Sequence, residues 1–332
     1  MHPLLRAAAE RQLGLFTAVD ARRGGYEHGE IQRLCSSGTW HRLRRGVYLT
    51  ADALPSAEDR GRRHQVACLA VLLELDRPSA VLSHASAARL WGIPVRRGLL
   101  GSVRLTDPTL SRQGRGYRVT QAPLRTGEVV RRGPFRLTSA ARTLLDCARE
   151  WDLDDAVVAL DAAQLAGSVS ATNLAEGLAA LHGWRGARRA ARAVALADGR
   201  AESPLETRGR LRIVGAGLPT PALQVEIHAG GLLVAVVDAW FDQAAVAVEF
   251  DGKVKYTDPW RGRSPERVLW EEKRREDQLR ALDIRLVRIV DADLGPTWRT
   301  TEDRLRGLLA TPGPDVRHFT VRARTRGRQR VG

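Results

Sequence analysis

Two short stretches without a polar residue constrain this chain most. Residues 232–237 and 244–248 are continuously apolar, and they lead into Asp238 and Glu249. Apolar runs this short and rich in valine predict buried strands, and the turn signal at Asp242-Gln243 predicts that they pair as a hairpin. A carboxylate that closes a buried strand is costly unless it meets a cation, a metal or several donors. Two of them on successive strands predict one site at one edge of a sheet.

The flanking sequence extends this into a domain. Ser203-Pro204-Leu205-Glu206 reads as a helix start, with a serine cap, proline at the first position and glutamate at the third. A strand is predicted over 223–227, a helix from Ser264-Pro265 to about residue 282, and a last strand over 285–290. The order is α-β-β-β-α-β. Glu249 and Asp251 are two apart and share a face of an extended strand. Glu206 could complete the cluster, although a capping box explains it equally well without chemistry. Asp251-Gly252 is also an ordinary turn pair, and residues 271–275 read as a solvated helix face. Converging carboxylates with few histidines favour Mg²⁺ (or Mn²⁺) over zinc, and such an ion can polarise a phosphodiester and activate water.

Charge divides the chain. Of the 53 basic residues only three, Lys253, Lys255 and Lys273, are lysine, and the formal net charge is +15. Residues 1–100 carry +6, 101–200 carry +5, 201–315 carry −2 and 316–332 carry +6. A polyanion held by bulk charge therefore belongs to the first two thirds or to the tail. Codon bias is the simplest source of the arginine excess.

At the front, helices are predicted over 12–22 and 27–37, followed by a basic hairpin over 40–49 that turns at Arg45-Gly46. Helix, helix, hairpin is the plan of a winged helix, in which one helix enters the major groove and a basic wing touches phosphate. Arg33, Arg42, Arg44 and Arg45 are the candidate phosphate contacts. A small helical domain with a solvated basic turn is the alternative. Further on, Ser83, His84 and Ser86 suggest a nucleophile pair, but no third polar partner accompanies them, so a capped helix with a surface histidine is expected. Strands alternate over 101–137, and helices fill 139–198. The three cysteines lie far apart, which suits a reducing cytoplasm. No run approaches a membrane span, and the N-terminus lacks a signal-peptide core.

Two resemblances follow from these residues. Residues 200–294 resemble the PD-(D/E)XK nuclease superfamily, and within it the branch similar to very-short-patch-repair (Vsr) endonucleases, mostly described as a domain of unknown function. The carriers are Ser203-Pro204-Leu205-Glu206, Gly217-Leu218-Pro219-Thr220-Pro221, the strand ending in Asp238, Glu249-Phe250-Asp251-Gly252, and Lys273 to Leu279 with the strand after it. The resemblance implies metal ligation by Asp238 and Glu249, with Glu206 assisting. On this reading Asp251 and Lys253 would place the attacking water, or Lys253 would stabilise the leaving charge. Two departures stand out: no proline precedes Asp238, and Asp251 occupies the place of the superfamily's lysine. Lys253 would be a migrated lysine, with Lys255 and Lys273 as alternatives. Residues 12–50 resemble the winged-helix domain of abortive-infection (type IV) antitoxins. Residues 60–198 resemble the antitoxin-like region behind it, most clearly at Thr138 to Asp146.

The expected architecture is α/β and multi-domain. A winged helix spans 1–55, a mostly α region with a few strands 56–198, a restriction-endonuclease-like domain 199–312, and a basic, disordered tail 313–332. The expected function is a cytoplasmic, nucleoid-associated Mg²⁺-dependent endonuclease acting on double-stranded DNA. Its rival is a non-catalytic regulator or antitoxin-like protein with an inactive nuclease fold, paired with a cognate toxin or another protein.

Overall fold

The computed structural model describes residues 1–59, 61–252 and 265–324, without the side chains of 265–269 and 272. The protein is mixed α/β and divides into two compact units. One comprises residues 1–159 and 169–191, the other residues 160–168 and 192 onward.

The first unit opens with α1 (Pro3–Arg11), β1 (Phe16–Thr17), α2 (Ala18–Arg23), α3 (His28–Ser36), β2 (Trp40–Arg44) and β3 (Val47–Thr50). Thr17 caps α2 reciprocally: its Oγ1 accepts from Asp20 N–H at 3.1 Å, and Asp20 Oδ2 accepts from Thr17 N–H at 2.9 Å. The β2–β3 turn falls at Arg45-Gly46 as the sequence predicts, with Gly46 at φ +72°, a conformation suited to glycine. The predicted helix over 12–22 is corrected to a helix before it, a two-residue strand and a shorter helix. Phe16, Trp40, Ile31 and Leu5 pack together, with the Phe16 and Trp40 rings edge to face at 4.7 Å.

Next come α4 (Leu54–Glu58), α5 (Arg63–Leu75), β4 (Val81–Leu82), α6 (His84–Leu90), β5 (Val103–Asp107), β6 (Arg112–Gly114), β7 (Tyr117–Gln121), β8 (Val129–Arg132), β9 (Phe135–Thr138) and α7 (Ala140–Glu150). The strands form one sheet, ordered β6-β7-β5-β4-β9-β8. This region therefore combines its helices with one six-stranded sheet. Val47 and Leu49 of β3 share a core with Val71, Leu82, Leu105 and Val119. Hydrophobic packing therefore continues across residue 55, while Leu5, Phe16, Ile31 and Trp40 form a cluster of their own before it. The helices α8 (Leu153–Leu165), α9 (Ala171–Ala179) and α10 (Ala187–Leu196) follow.

The second unit holds α11 (Pro204–Gly215), β10 (Ala222–Ala229), β11 (Leu232–Phe241), β12 (Val246–Asp251), α12 (Pro265–Ala281), β13 (Arg285–Val290), α13 (Trp298–Leu309) and β14 (Thr320–Ala323). The sheet order is β13-β12-β11-β10-β14, with β12 and β13 parallel and the other pairs antiparallel. One face packs Val248, Phe250 and Ile289 with Ile213 of α11 and Leu305 of α13, and the other packs Val237 and Ala247 with Leu279 of α12. Contact between α11 and β12 is close at Gly209, where a Cβ would lie 1.9 Å from a Phe250 ring carbon. The described part of the expected disordered tail is corrected: residues 320–323 pair with β10 as a sheet strand. Residues 160–168 of α8 and the loop after it belong to this unit. Asp161, 1% exposed, accepts from Arg210 Nη2 at 2.8 Å, Thr207 Oγ1 at 2.9 Å and Asp198 N–H at 2.7 Å. Among the described residues no helix is long and apolar enough to cross a membrane.

Candidate nucleic-acid interface and carboxylate cluster

Helix α3 buries Ile31 and leaves His28, Gln32, Arg33 and Ser36 exposed. Arg42 and Arg45 are exposed on the hairpin. Arg44 is different. Simple alternation would place Arg42 and Arg44 on one face. The register shifts between them, so Arg42 stands opposite Tyr48 but Arg44 stands opposite Val47, on the core side. Arg44 Nη1 donates to Glu74 Oε2 at 2.7 Å, Nη2 donates to the Arg115 carbonyl at 2.9 Å, and the guanidinium lies 5.4 Å from the Tyr117 ring centre. Arg33, Arg42 and Arg45 face solvent; Arg44 ties the hairpin to α5 and to the β6–β7 turn.

In the second unit the helix start behaves as its sequence suggests. Ser203 Oγ accepts from Glu206 N–H at 3.2 Å, and Glu206 Oε2 accepts from Glu202 N–H at 2.8 Å. Glu206 does more than cap. Its Oε2 also accepts from Gln224 Nε2 at 3.1 Å, and that amide nitrogen lies 3.3 Å from Asp238 Oδ1. Gln224 sits at φ +52°, a kink that lets Leu223 and Val225 enter the cores on opposite faces of the sheet. Asp238 Oδ2 accepts from Phe250 N–H at 2.8 Å. The β11–β12 ladder starts one residue later, at Ala239 opposite Val248, so the Asp238 carboxylate takes the place of a backbone partner. Burial pushes the Glu206 carboxyl above its ordinary value, and the Asp238 charge beside it pushes the same way. Arg324 Nη1 closes the cluster, donating to Gln224 Oε1 at 3.2 Å and Glu202 Oε1 at 3.1 Å.

Glu249 has other partners. Arg275 Nη2 lies 2.9 Å from its Oε1, and Arg288 Nε, opposite it in the parallel register, lies 3.5 Å from Oε2. Asp251 stands at the end of β12 opposite Val290. Lys253 and Lys255 lie outside the described residues; Lys273 is exposed on α12. Among the described residues no group of three His, Cys, Asp or Glu is arranged to hold a metal ion. The structure thus brings Glu206 and Asp238 together and pairs Glu249 with two guanidinium groups. The described residues do not fit the three-carboxylate Mg²⁺ or Mn²⁺ centre that the resemblance implies.

The expectation at His84 is corrected. His84 is buried, with Nδ1 2.8 Å from Ser83 Oγ and Nε2 3.3 Å from Glu150 Oε1. Glu150 in turn binds Arg104 through both oxygens, at 2.8 and 3.0 Å. Burial opposes ionisation of Glu150, but His84 and Arg104 outweigh it and hold the carboxyl well below its usual range. Ser83 is fully buried, so this chain of groups braces α6 against β5 and α7 and offers no substrate a nucleophile. Sequence reasoning missed Glu150, Gln224, Glu74 and Arg115. Of these only Gln224 carried a signal, as the single amide in the predicted strand 223–227.

Comparison with known families bears on the front of the chain. Residues 3–51 match the family described as "Transcriptional regulator, AbiEi antitoxin", a stretch that runs from α1 through β3. Two proteins of Mycobacterium tuberculosis, the uncharacterized protein MT2308 of strain CDC 1551 and the uncharacterized protein Rv2248 of strain H37Rv, are each 33% identical over 171 residues. The match spans 51% of this chain and 61% of each relative.

Proposed function

We propose that this chain is a DNA-binding transcriptional regulator of the antitoxin type, with α1–β3 forming a winged helix. One observation carries the reading. The segment that matches the regulator family is the segment in which α3 turns His28, Gln32, Arg33 and Ser36 outward beside a hairpin that exposes Arg42 and Arg45. Gln and Arg are the side chains that make two-point contacts with adenine and guanine edges, and exposed arginines meet phosphate. On this reading Arg33 and its neighbours on α3 read the major groove, and Arg42 and Arg45 set the register on the backbone. Arg44 positions the hairpin from behind. A cognate toxin is the protein partner that the family description brings with it. Selection of bound duplexes from a random pool tests the reading. Enrichment of a defined site, relaxed at one position by Arg33→Ala, is the expected result. Retention of no duplex sinks it.

A second reading concerns the C-terminal unit: a Vsr-like, PD-(D/E)XK nuclease domain that cuts duplex DNA. The observation in its favour is the Glu206–Asp238 pair, two carboxylates from separate elements bridged by one amide. The pairing of Glu249 with Arg275 and Arg288 speaks against it. Incubation of supercoiled plasmid with the protein and Mg²⁺ or Mn²⁺ decides. Nicking abolished by Asp238→Ala and by Glu249→Ala supports a nuclease; an unchanged plasmid leaves the regulator.

A further inference from the structure

The β6–β7 turn, Arg115-Gly116, lies far outside the matched segment, yet three contacts join it to the β2–β3 hairpin. Arg44 Nη2 donates to the Arg115 carbonyl at 2.9 Å. A Cβ at Gly116 would sit 3.3 Å from that same nitrogen. The Arg44 guanidinium lies 5.4 Å from the centre of the Tyr117 ring. The turn is also fixed from its own side, because Val103 N–H donates to the Gly116 carbonyl at 2.9 Å. Two hairpin turns are therefore held side by side.

Their charges have opposite fates. Arg44 neutralises Glu74 at 2.7 Å, which removes that acid as a source of repulsion toward an approaching anion. Arg45, Arg112 and Arg115 are exposed, and no carboxylate among the described residues pairs with them. Arg112 stands opposite Val119 in the β6–β7 ladder, and Val119 points into the core that also holds Val47. Residues directly opposite in an antiparallel pair share a face. Arg112 thus stands at the sheet edge on the side of the hairpin that carries Arg45, not on the far face with Arg118.

We propose that the β6–β7 turn is a second phosphate-binding hairpin, so that the surface for duplex DNA runs from Arg45 onto Arg115 and Arg112. This rests on the DNA-binding reading and extends it past the winged helix. A duplex presents one charge per ~1.7 Å of its axis, so a rigid ridge of arginines on two adjoining turns meets several phosphates without reading a base. The ridge adds affinity and orientation, and sequence selection stays with α3.

The test is the salt dependence of binding by the full chain to a fluorescently labelled mixed-sequence duplex. Each lost phosphate contact lowers the slope of log K against log salt by ~0.9. Arg112→Ala with Arg115→Ala should lower it by ~1.8, whereas Arg131→Ala, on the opposite edge of the same sheet, should leave it unchanged. Circular dichroism melts of the variants confirm folding. A wild-type slope in the double variant overturns the second hairpin while leaving the DNA-binding reading intact. Equal loss in Arg131→Ala overturns it too, as a bulk-charge effect. A loss seen with duplex RNA but not with duplex DNA assigns the ridge to RNA and overturns it as stated. Absence of binding by the wild-type chain overturns both.

Discussion

Arginine plays contrasting parts at two places in the molecule, the tips of two hairpins in the first unit and the acids of the second. At the tips of the β2–β3 and β6–β7 hairpins, Arg45 and Arg115 stand in solvent without carboxylate partners among the described residues. In the second unit arginines are turned onto acids: Arg275 and Arg288 onto Glu249, Arg210 onto Asp161, and Arg324 onto Glu202. The first arrangement leaves positive charge available to a partner; the second consumes it internally. An exposed guanidinium without a partner has lost little hydration and can exchange counterions for phosphate, whereas a paired one is already part of the structure.

The sharpest way to break this contrast is Asp161→Ala. It orphans the buried Arg210, so chemical denaturation should show a loss of about 3–5 kcal/mol in the unit that contains it. A cost near zero would mean that Arg210 reaches water. Next is Gly209→Ala, whose Cβ collides with Phe250; about 1–3 kcal/mol should be lost from the same unit, read as a lower melting temperature. Glu206→Gln should act with the opposite sign and depend on pH. The folded state raises the carboxyl of Glu206 from its ordinary 4.5, so wild-type stability declines as pH rises from there through the folded value. The glutamine variant lacks that decline, and its advantage in melts should grow above pH 4.5 and then level off. A constant difference across pH would refute the raised Glu206 carboxyl that burial and the Asp238 charge together produce. Smallest on stability is Arg45→Ala, within ~0.5 kcal/mol as expected for an exposed side chain, with a measurable loss of salt-dependent DNA binding.

What was legible from the residues depended on how local the cause was. The helix start at Ser203, the strands β11 and β12 and the turn at Arg45-Gly46 are written in neighbouring residues, and these elements form, but the run 232–237 is not continuously buried: Leu232 and Leu233 are exposed. Strand β14, Thr-Val-Arg-Ala, reads as part of a basic tail because an edge strand is held by backbone pairing rather than by an apolar pattern. The two-residue β4 is too short to show any period. Arg44 was misplaced because alternation assumes a regular ladder and the register shift lies in the pairing, not in the residue types. At the carboxylate cluster the acids after the two apolar runs were visible, although both strands continue past them, and Glu206 and Asp238 do meet. Which base reaches which acid depends on segments far apart in sequence, as Arg275 and Arg288 on Glu249 show, and no spacing rule encodes that.

One feature of α8 bears on how such a protein can be taken apart. Its end, with Asp161 held by Arg210 and Thr207, belongs to the second unit, and the chain crosses between the units three times, after residues 159, 168 and 191. Neither unit is therefore a continuous piece of sequence. A protease nick or a truncated gene that keeps only residues from 199 onward removes the carboxylate beneath α11 and exposes its buried cation. Recombination cannot hand on the C-terminal unit as a self-contained cassette; to be inherited intact it must travel with the helix that precedes it.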